Sequence, residues 1–231
     1  MLAGIHLTTR SLILISLATT LVLSLVYSTS NQFGHADVPV ARTAMEIQPL
    51  GPGDAAPRFT VETVDNERFD FDPRTLERPA VLVAFRGGWC PFCNLHLSEL
   101  RHAIPEISAM GIDVLFLSGD RSELLISSLE RETQDRIGGL GYTILSDANA
   151  QAAVALGIAF KASDRTLQRR HERGDDIEDS SMARHGVLPV PAVFVVDREG
   201  MITFAYANPD YKIRLSPDEL LAAASAIATR E

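Results

Sequence analysis

Pro79-Ala80-Val81-Leu82-Val83-Ala84-Phe85 is an unbroken apolar run with β-branched and aromatic side chains, and Arg86-Gly87-Gly88-Trp89-Cys90-Pro91-Phe92-Cys93-Asn94 follows it directly. The run is short, so it predicts a strand buried on both faces. Beyond Asn94, residues Leu95, Leu97, Leu100, Ile104 and Ile107 recur at roughly helical spacing. Together these segments predict a strand, a glycine turn and a helix, with Cys90 at the helix N-terminus. Gly87 and Gly88 permit the tight turn and leave the backbone open to a small molecule. Pro91 suits the first helical position, where its missing N–H would have had no partner. A strand of this kind needs neighbours along both edges and cover on both faces, so it shapes the rest of the chain.

Cys90 and Cys93 are the only cysteines in 231 residues. The thiolate is the nucleophilic form, and the free N–H groups and positive dipole of a helix start favour an anion. The pKa of Cys90 is therefore expected to fall. Cys93 lies about one turn further on, on the same face. A disulfide between them is sterically reasonable, with Cys90 expected as the exposed attacking thiol and Cys93 as the more buried resolving one. Three other uses of the pair compete. A structural zinc needs four ligands, and His96 is the only histidine at local ligand spacing. An inert core pair leaves the glycine turn and Pro91 without a purpose. A copper carrier would join the thiolates to a distal histidine such as His171 or His185, since soft thiolates suit Cu(I). Redox chemistry fits the local pattern best, and it calls for no metal and no organic cofactor.

Val81 to Cys93 resembles the active-site strand and turn of the thioredoxin superfamily, with the Trp-Cys-x-x-Cys core intact. Arg86 to Asn94 is similar to the signature of its AhpC/TSA peroxiredoxin-like branch, and the resemblance runs from about Gly53 to the C-terminus. It implies a thioredoxin-like α/β fold with a central mixed β-sheet flanked by helices. It also implies a thiol-dependent peroxidase for hydrogen peroxide or alkyl hydroperoxides. Cys90 would be peroxidatic, Cys93 resolving, and thioredoxin or a similar dithiol the reductant. Arg86, Gly87, Gly88, Trp89, Pro91 and Pro191 would support the site. In the superfamily the proline matching Pro191 is cis and faces the cysteine pair, and a cis X-Pro bond costs little.

This sequence departs from the peroxiredoxin pattern in three places. Gly87 stands where those proteins carry a threonine three residues before the reactive cysteine, and Val83 stands where they carry a proline. Val190-Pro191-Ala192 lacks the arginine they take from that strand, for which Arg86 or Arg214 would stand in. Gly53-Asp54-Ala55-Ala56-Pro57-Arg58-Phe59 resembles the entry segment of peroxiredoxins and of TlpA-like thiol reductases alike. The alternative is therefore a membrane-anchored or exported TlpA-like thiol:disulfide oxidoreductase. The buried acid that thioredoxins often carry before the motif corresponds to Ala84.

The remaining chain fits one domain with a leader. Met1 to Arg10 has one basic residue and no acids, Ser11 to Tyr27 is apolar, and small residues surround Ala36. Residues 1–36 therefore read as a signal peptide or an N-terminal membrane anchor. Either would place the protein outside the cytoplasm, in the periplasm or on the outer face of the inner membrane, touching membrane only through that segment. Residues 37–50 lack periodicity and read as a linker, and residues 51–231 form a domain of about 180 residues. The net charge of −9 argues against a nucleic-acid partner.

Within that domain, Phe59 to Val64 and the segment of Phe69 and Phe71 predict a hairpin. Ile112 to Leu117 and Tyr142 to Leu145 predict strands, and Ser122 to Arg136 an amphipathic helix. A further helix is expected after Asp147-Ala148-Asn149. Pro191 opens a strand that turns at Arg198-Glu199-Gly200 and pairs back over Ile202 to Tyr206. Ser216, Pro217 and Glu219 form a capping box for a last helix. Lys161 to Arg184 carries mixed charges and predicts a solvated surface insertion, with a partner-docking loop as the alternative.

Overall fold

The computed structural model describes residues 40–228. The expected leader and the first residues of the expected linker lie outside this range. Nine strands occur among the described residues: β1 (Phe59–Glu62), β2 (Arg68–Phe71), β3 (Ala80–Phe85), β4 (Asp113–Ser118), β5 (Thr143–Ser146), β6 (Ala159–Lys161), β7 (Val187–Pro189), β8 (Ala192–Val196) and β9 (Ile202–Ala207). Between and after them run the helices α1 (Pro91–Leu100), α2 (Ala103–Ala109), α3 (Arg131–Ile137), α4 (Gln151–Ala155), α5 (Asp164–Glu172), α6 (Ser181–His185) and α7 (Pro217–Ala228). None of these helices is long and apolar enough to cross a membrane.

Seven strands form one mixed sheet in the order β2-β1-β5-β4-β3-β8-β9. β3 pairs parallel to β4 and antiparallel to β8, so the predicted central strand is flanked on both edges. Its side chains alternate between two cores, because successive strand residues point to opposite faces. Val81, Val83 and Phe85 join Leu97, Leu100, Ile104, Leu220 and Ile227 on the face of α1, α2 and α7. Ala80, Leu82 and Ala84 join Ala152, Ala153, Leu156 and Phe59 on the other face. β4 and β8 divide in the same way: Val114 and Phe116 share the first core with Val193 and Val195, while Leu115 and Leu117 share the second with Phe194 and Val196. Fully covered strands read as continuous apolar runs for this reason.

Several segments differ from the sequence-based expectation. The helix expected after the cysteine turn ends at Leu100 and restarts at Ala103, and Leu95 lies on the outer side of α1, 55% exposed. The expected Ser122–Arg136 helix does not run through. Only a short 3-10 turn at Ser122–Leu124 and α3 form. Between them Glu130 N donates to Asn94 Oδ1 at 2.8 Å, so a tertiary partner takes a group that a helix would have used, and Ser128 Oγ donates to Asp120 Oδ2 at 2.9 Å. Residues 40–50 are fastened to the domain: Ala41 N bonds Ala159 O at 3.0 Å, Lys161 N bonds Ala41 O at 2.8 Å, and Gln48 N bonds Gly157 O at 3.1 Å.

The charged stretch is mostly exposed, as a solvated surface insertion is expected to be, yet it is folded. It forms α5 and α6 and leads into β7, which pairs with β6 in a separate two-stranded sheet. Ile177 and Met182 pack under it with Phe160, Leu188 and Val190. The last helix starts as expected: Glu219 N donates to Ser216 Oγ at 3.3 Å, and Ser216 N donates to Glu219 Oε2 at 3.0 Å.

Candidate active site

Cys90 is the N-cap of α1, and Pro91 occupies the first helical position. The chain leaves β3 at Phe85 and turns through Gly87, whose φ is +141°, before Cys90 N returns to Gly87 O at 3.2 Å. A side chain at residue 87 would be strained at that φ. Its Cβ would also lie 2.4 Å from Asp120 Oδ1 and 2.5 Å from Trp89 Nε1. Gly88 is equally crowded, because a Cβ there would meet Ser128 Oγ at 2.1 Å.

Two buried polar side chains fasten the turn. Asp120 Oδ2 accepts from Gly88 N at 2.7 Å. Asn94 Nδ2 donates to Gly88 O at 2.6 Å and to Cys90 O at 3.2 Å, while its Oδ1 accepts from Glu130 N. Neither residue was marked as a site candidate in the sequence. Asn94 directly follows the cysteine motif. Asp120 follows a parallel strand beside β3, at the carboxyl end where open α/β sheets place their ligands. That position was a readable signal.

The two thiols stand as a reduced pair, so the expected disulfide is not formed. Cys90 is only 2% exposed and Cys93 1%, against the expectation of an exposed attacking thiol. Both belong to the apolar cluster that holds Leu97, Leu125 and Leu129, with Trp89 packed against it. Cys90 nonetheless has its pKa lowered to about 6. The Cys93 thiol stabilises its anion most, the Cys93 backbone N–H adds to this, and the charges of Arg86 and Arg214 contribute next, all against the cost of burial. Burial first, and then the hydrogen bond to Cys90, push Cys93 well above the usual thiol range. The pair therefore divides into one anionic and one neutral sulfur.

Arg86 and Arg214 both come to the dithiol. Arg86 is 8% exposed, with its guanidinium 4.1 Å from the Tyr211 ring centroid and 5.7 Å from that of Phe160. Arg214 Nη2 donates to Cys93 Sγ at 3.5 Å from the loop between β9 and α7. Trp89 lies under the guanidinium of Arg170, 4.4 Å from its ring centroid. Arg170 carries no local sequence signal, being one cation in a charged stretch.

Pro191 leads into β8. Ala192 pairs with Ala84, so the proline lies beside the end of β3 that opens the cysteine turn. The peptide bond before it is trans, as are all others among the described residues, which corrects the cis expectation. Val190 N donates to Ile158 O at 2.8 Å and keeps the chain extended from β7 to β8. A trans bond, favoured by about 0.5–1 kcal/mol, continues that path. Among the described residues no group of three or more His, Cys, Asp or Glu side chains is placed to hold a metal ion, so His171 and His185 do not join the cysteines in one.

A mixed sheet with helices on both faces, and a Cys-x-x-Cys pair opening the helix after its central strand, defines a thioredoxin-like protein. Within that class the chain belongs to the AhpC/TSA family, whose profile matches residues 52–205. Tyr211 and Arg214 lie beyond the matched span. The chain is 32% identical over 113 residues to peroxiredoxin Bcp of Escherichia coli, covering 48% of this chain and 67% of that one. It is more distantly similar to thiol-disulfide oxidoreductase ResA of Bacillus thuringiensis, 17% identical over 150 residues, 65% of this chain and 66% of the relative. Among solved structures, a peroxiredoxin-like protein from Aquifex aeolicus superposes with a TM-score of 0.58 at 17% identity, covering 78% of this chain and 89% of its own. Peroxidoxin BcpB from Mycobacterium tuberculosis gives 0.54 at 17% identity, covering 77% and 98%.

Proposed function

We propose that this chain is a thiol-dependent peroxidase of the peroxiredoxin type, acting on hydrogen peroxide or alkyl hydroperoxides. The observation that carries the reading is the paired but unequal thiols: Cys90 is lowered to about 6 while Cys93 is raised. The likeness to peroxiredoxin Bcp supports it. The Cys90 thiolate attacks one oxygen of the peroxide and the O–O bond breaks. Cys90 becomes a sulfenic acid, and the other oxygen leaves and takes a proton to give water or an alcohol. The Cys93 thiol then condenses with the sulfenic acid, a disulfide forms and water departs. Thioredoxin or an equivalent dithiol returns the pair to its reduced state by exchange. The proposed extracytoplasmic setting rests on the sequence of residues 1–36 alone.

Thiol–disulfide exchange with partner proteins is the second reading. Two observations favour it: the Trp-Cys-x-x-Cys spacing, and the space at residue 87, where Asp120 and Trp89 stand in place of any hydroxyl side chain.

The deciding experiment mixes the reduced full chain with hydrogen peroxide and follows the fluorescence of Trp89, the only tryptophan. Fast oxidation is expected, lost in Cys90→Ser and halted at the sulfenic acid in Cys93→Ser. A rate no better than that of a free thiol, together with rapid exchange against protein disulfides, overturns the peroxidase in favour of the oxidoreductase.

A further inference from the structure

Among the described residues, the two guanidiniums at the dithiol have no carboxylate partner. Arg86 Nε, Arg214 Nε and Arg214 Nη1 are buried without a hydrogen-bond acceptor. The charged and titratable groups that act on Arg86 are Cys90, Cys93, Arg214 and Tyr211, with no acid among them. Arg170, whose Nε is likewise buried without an acceptor, differs in having a carboxylate beside it, Asp175 at 3.1 Å. A buried cation without an anion is costly. One thiolate, that of Cys90, offsets one of the two charges at rest. The other remains uncompensated while Cys93 stays a thiol. Since Arg214 Nη2 lies 3.5 Å from Cys93 Sγ, its missing counter-ion is the one that forms when Cys93 ionises.

We propose that Arg214 is a catalytic residue of the recycling half-reaction: its guanidinium receives the negative charge that departs on Cys93 Sγ when an external dithiol reduces the oxidised pair. This rests on the redox-dithiol reading above. In the first step the external thiolate forms a bond to Cys90 Sγ. The Cys90–Cys93 bond breaks and its electron pair leaves on Cys93 Sγ. In the second step the other thiol of the reductant, once deprotonated, displaces Cys90 as a thiolate, and the reductant departs as its disulfide. Cys93 takes a proton from solvent, and the resting pair is restored. A contact that strengthens as charge develops accelerates the step, and a better stabilised thiolate leaves faster.

The surroundings favour Arg214 for this task. His96 is no rival source of positive charge, because burial, and then the charge of Arg214, lower its pKa to about 4. Its Nε2 is already engaged with Leu215 O at 3.1 Å. Arg214 is held in place by the buried Leu215 and by the capping box at Ser216, which begins two residues on. Arg86 precedes Arg214 among the charges that act on Cys90. Both arginines thus act on Cys90, and Arg214 in addition donates to Cys93 Sγ.

The test compares two single-turnover rate constants in the full chain: oxidation of the dithiol by hydrogen peroxide, and reduction of the diamide-formed disulfide by dithiothreitol. Arg214→Gln is expected to slow reduction about tenfold more than it slows oxidation, and Arg214→Lys, which keeps the charge, should restore most of that loss. Equal slowing of both steps, or no slowing of reduction, overturns the proposal. Should Arg214→Gln fail to fold, Arg214→Met in a Cys90→Ser background carries the same question. With Cys93 then the only thiol, its iodoacetamide alkylation midpoint should be lower with Arg214 present than with methionine there, because the guanidinium lowers it against the effect of burial. Equal midpoints overturn the proposal. A poor reaction with peroxide would unseat the peroxidase and leave this test intact, because the reduction begins from a disulfide made independently.

Discussion

The guanidinium of Arg170 lies 4.4 Å from the centroid of the Trp89 ring, which seats the 164–185 arm on the residue beside Cys90. The cation is aimed by Asp175 at 3.1 Å, and its side chain is only 17% exposed. Ile177 and Met182 anchor the rest of the arm through the small third core. Arg170→Ala should therefore loosen Trp89 at a cost in stability of about 1 kcal/mol, the usual size of a partly desolvated cation–π contact. Because Trp89 is the only tryptophan, acrylamide quenching reads this contact directly. Quenching should increase in the variant, with faster alkylation of Cys90. Unchanged quenching would mean that the arm does not cover the site.

Gly87 sits where a resemblance-guided designer would place threonine. The geometry forecasts failure for that change. A Cβ would lie 2.4 Å from Asp120 Oδ1 and 2.5 Å from Trp89 Nε1, at a φ of +141° that side chains rarely adopt. Asp120 cannot simply swing away, because its other oxygen holds Gly88 N and Ser128 Oγ. Gly87→Thr should lose about 2 kcal/mol or more in urea unfolding and should slow peroxide oxidation. A variant of wild-type stability that reacts faster would show that the turn adapts and that the hydroxyl was merely missing.

The buried sheet and the cysteine turn were legible because they rest on local rules. Continuous apolar runs mark strands covered on both faces, and Pro91 and Ser216 mark helix starts. The Ser122–Arg136 segment misled, because its apolar spacing is genuine while the Glu130 N–H is drawn off by Asn94, a residue far away in sequence. The arm hid its anchors in another way. Ile177 and Met182 are two apolar residues inside a charged stretch, too few to set a period. Arg86 and Arg214 could be named as candidates, but only the fold shows that both reach the dithiol. Arg214 does so across 121 positions of sequence. The buried state of Cys90 was equally out of reach, since Leu125 and Leu129, which help to cover it, come from a segment more than thirty residues further on.

The unequal thiols predict a pH profile. Cys90 alkylation by iodoacetamide follows its thiolate fraction, so the rate should rise with pH and reach half its plateau near pH 6, where the thiol titrates. Cys93→Ala removes the contact that lowers this value most and should move the midpoint up. Arg86→Gln should move it the same way by less, because its charge ranks below the Cys93 hydrogen bonds. A wild-type midpoint near 8.5, the ordinary thiol value of about that size, would remove the electrostatic basis of the site.

Asp147 gives a pH dependence of stability with a sign that can be worked out. Its carboxylate accepts from Ala152 N at 2.9 Å and Ala153 N at 2.8 Å at the start of α4, yet burial raises its pKa to about 7. An unfolded aspartate titrates near about 3.9. Below that value both states are protonated and the group contributes no difference. Between roughly pH 4 and 7 the unfolded state ionises while the folded state resists, so folding stability falls as pH rises through this window. His96, lowered to about 4 by burial and the charge of Arg214, works in the opposite sense, because its folded form refuses a proton that the unfolded form accepts. Asp120, raised to about 6 by burial, works in the same sense as Asp147, so the raw profile of the protein mixes all three. The difference between Asp147→Asn and wild type cancels His96 and Asp120 and isolates Asp147. Urea unfolding at several pH values should show the variant gaining on wild type from pH 4.5 to 7.5, with no further gain above. A difference that stays constant across that range would mean that the two backbone donors keep Asp147 ionised in the fold.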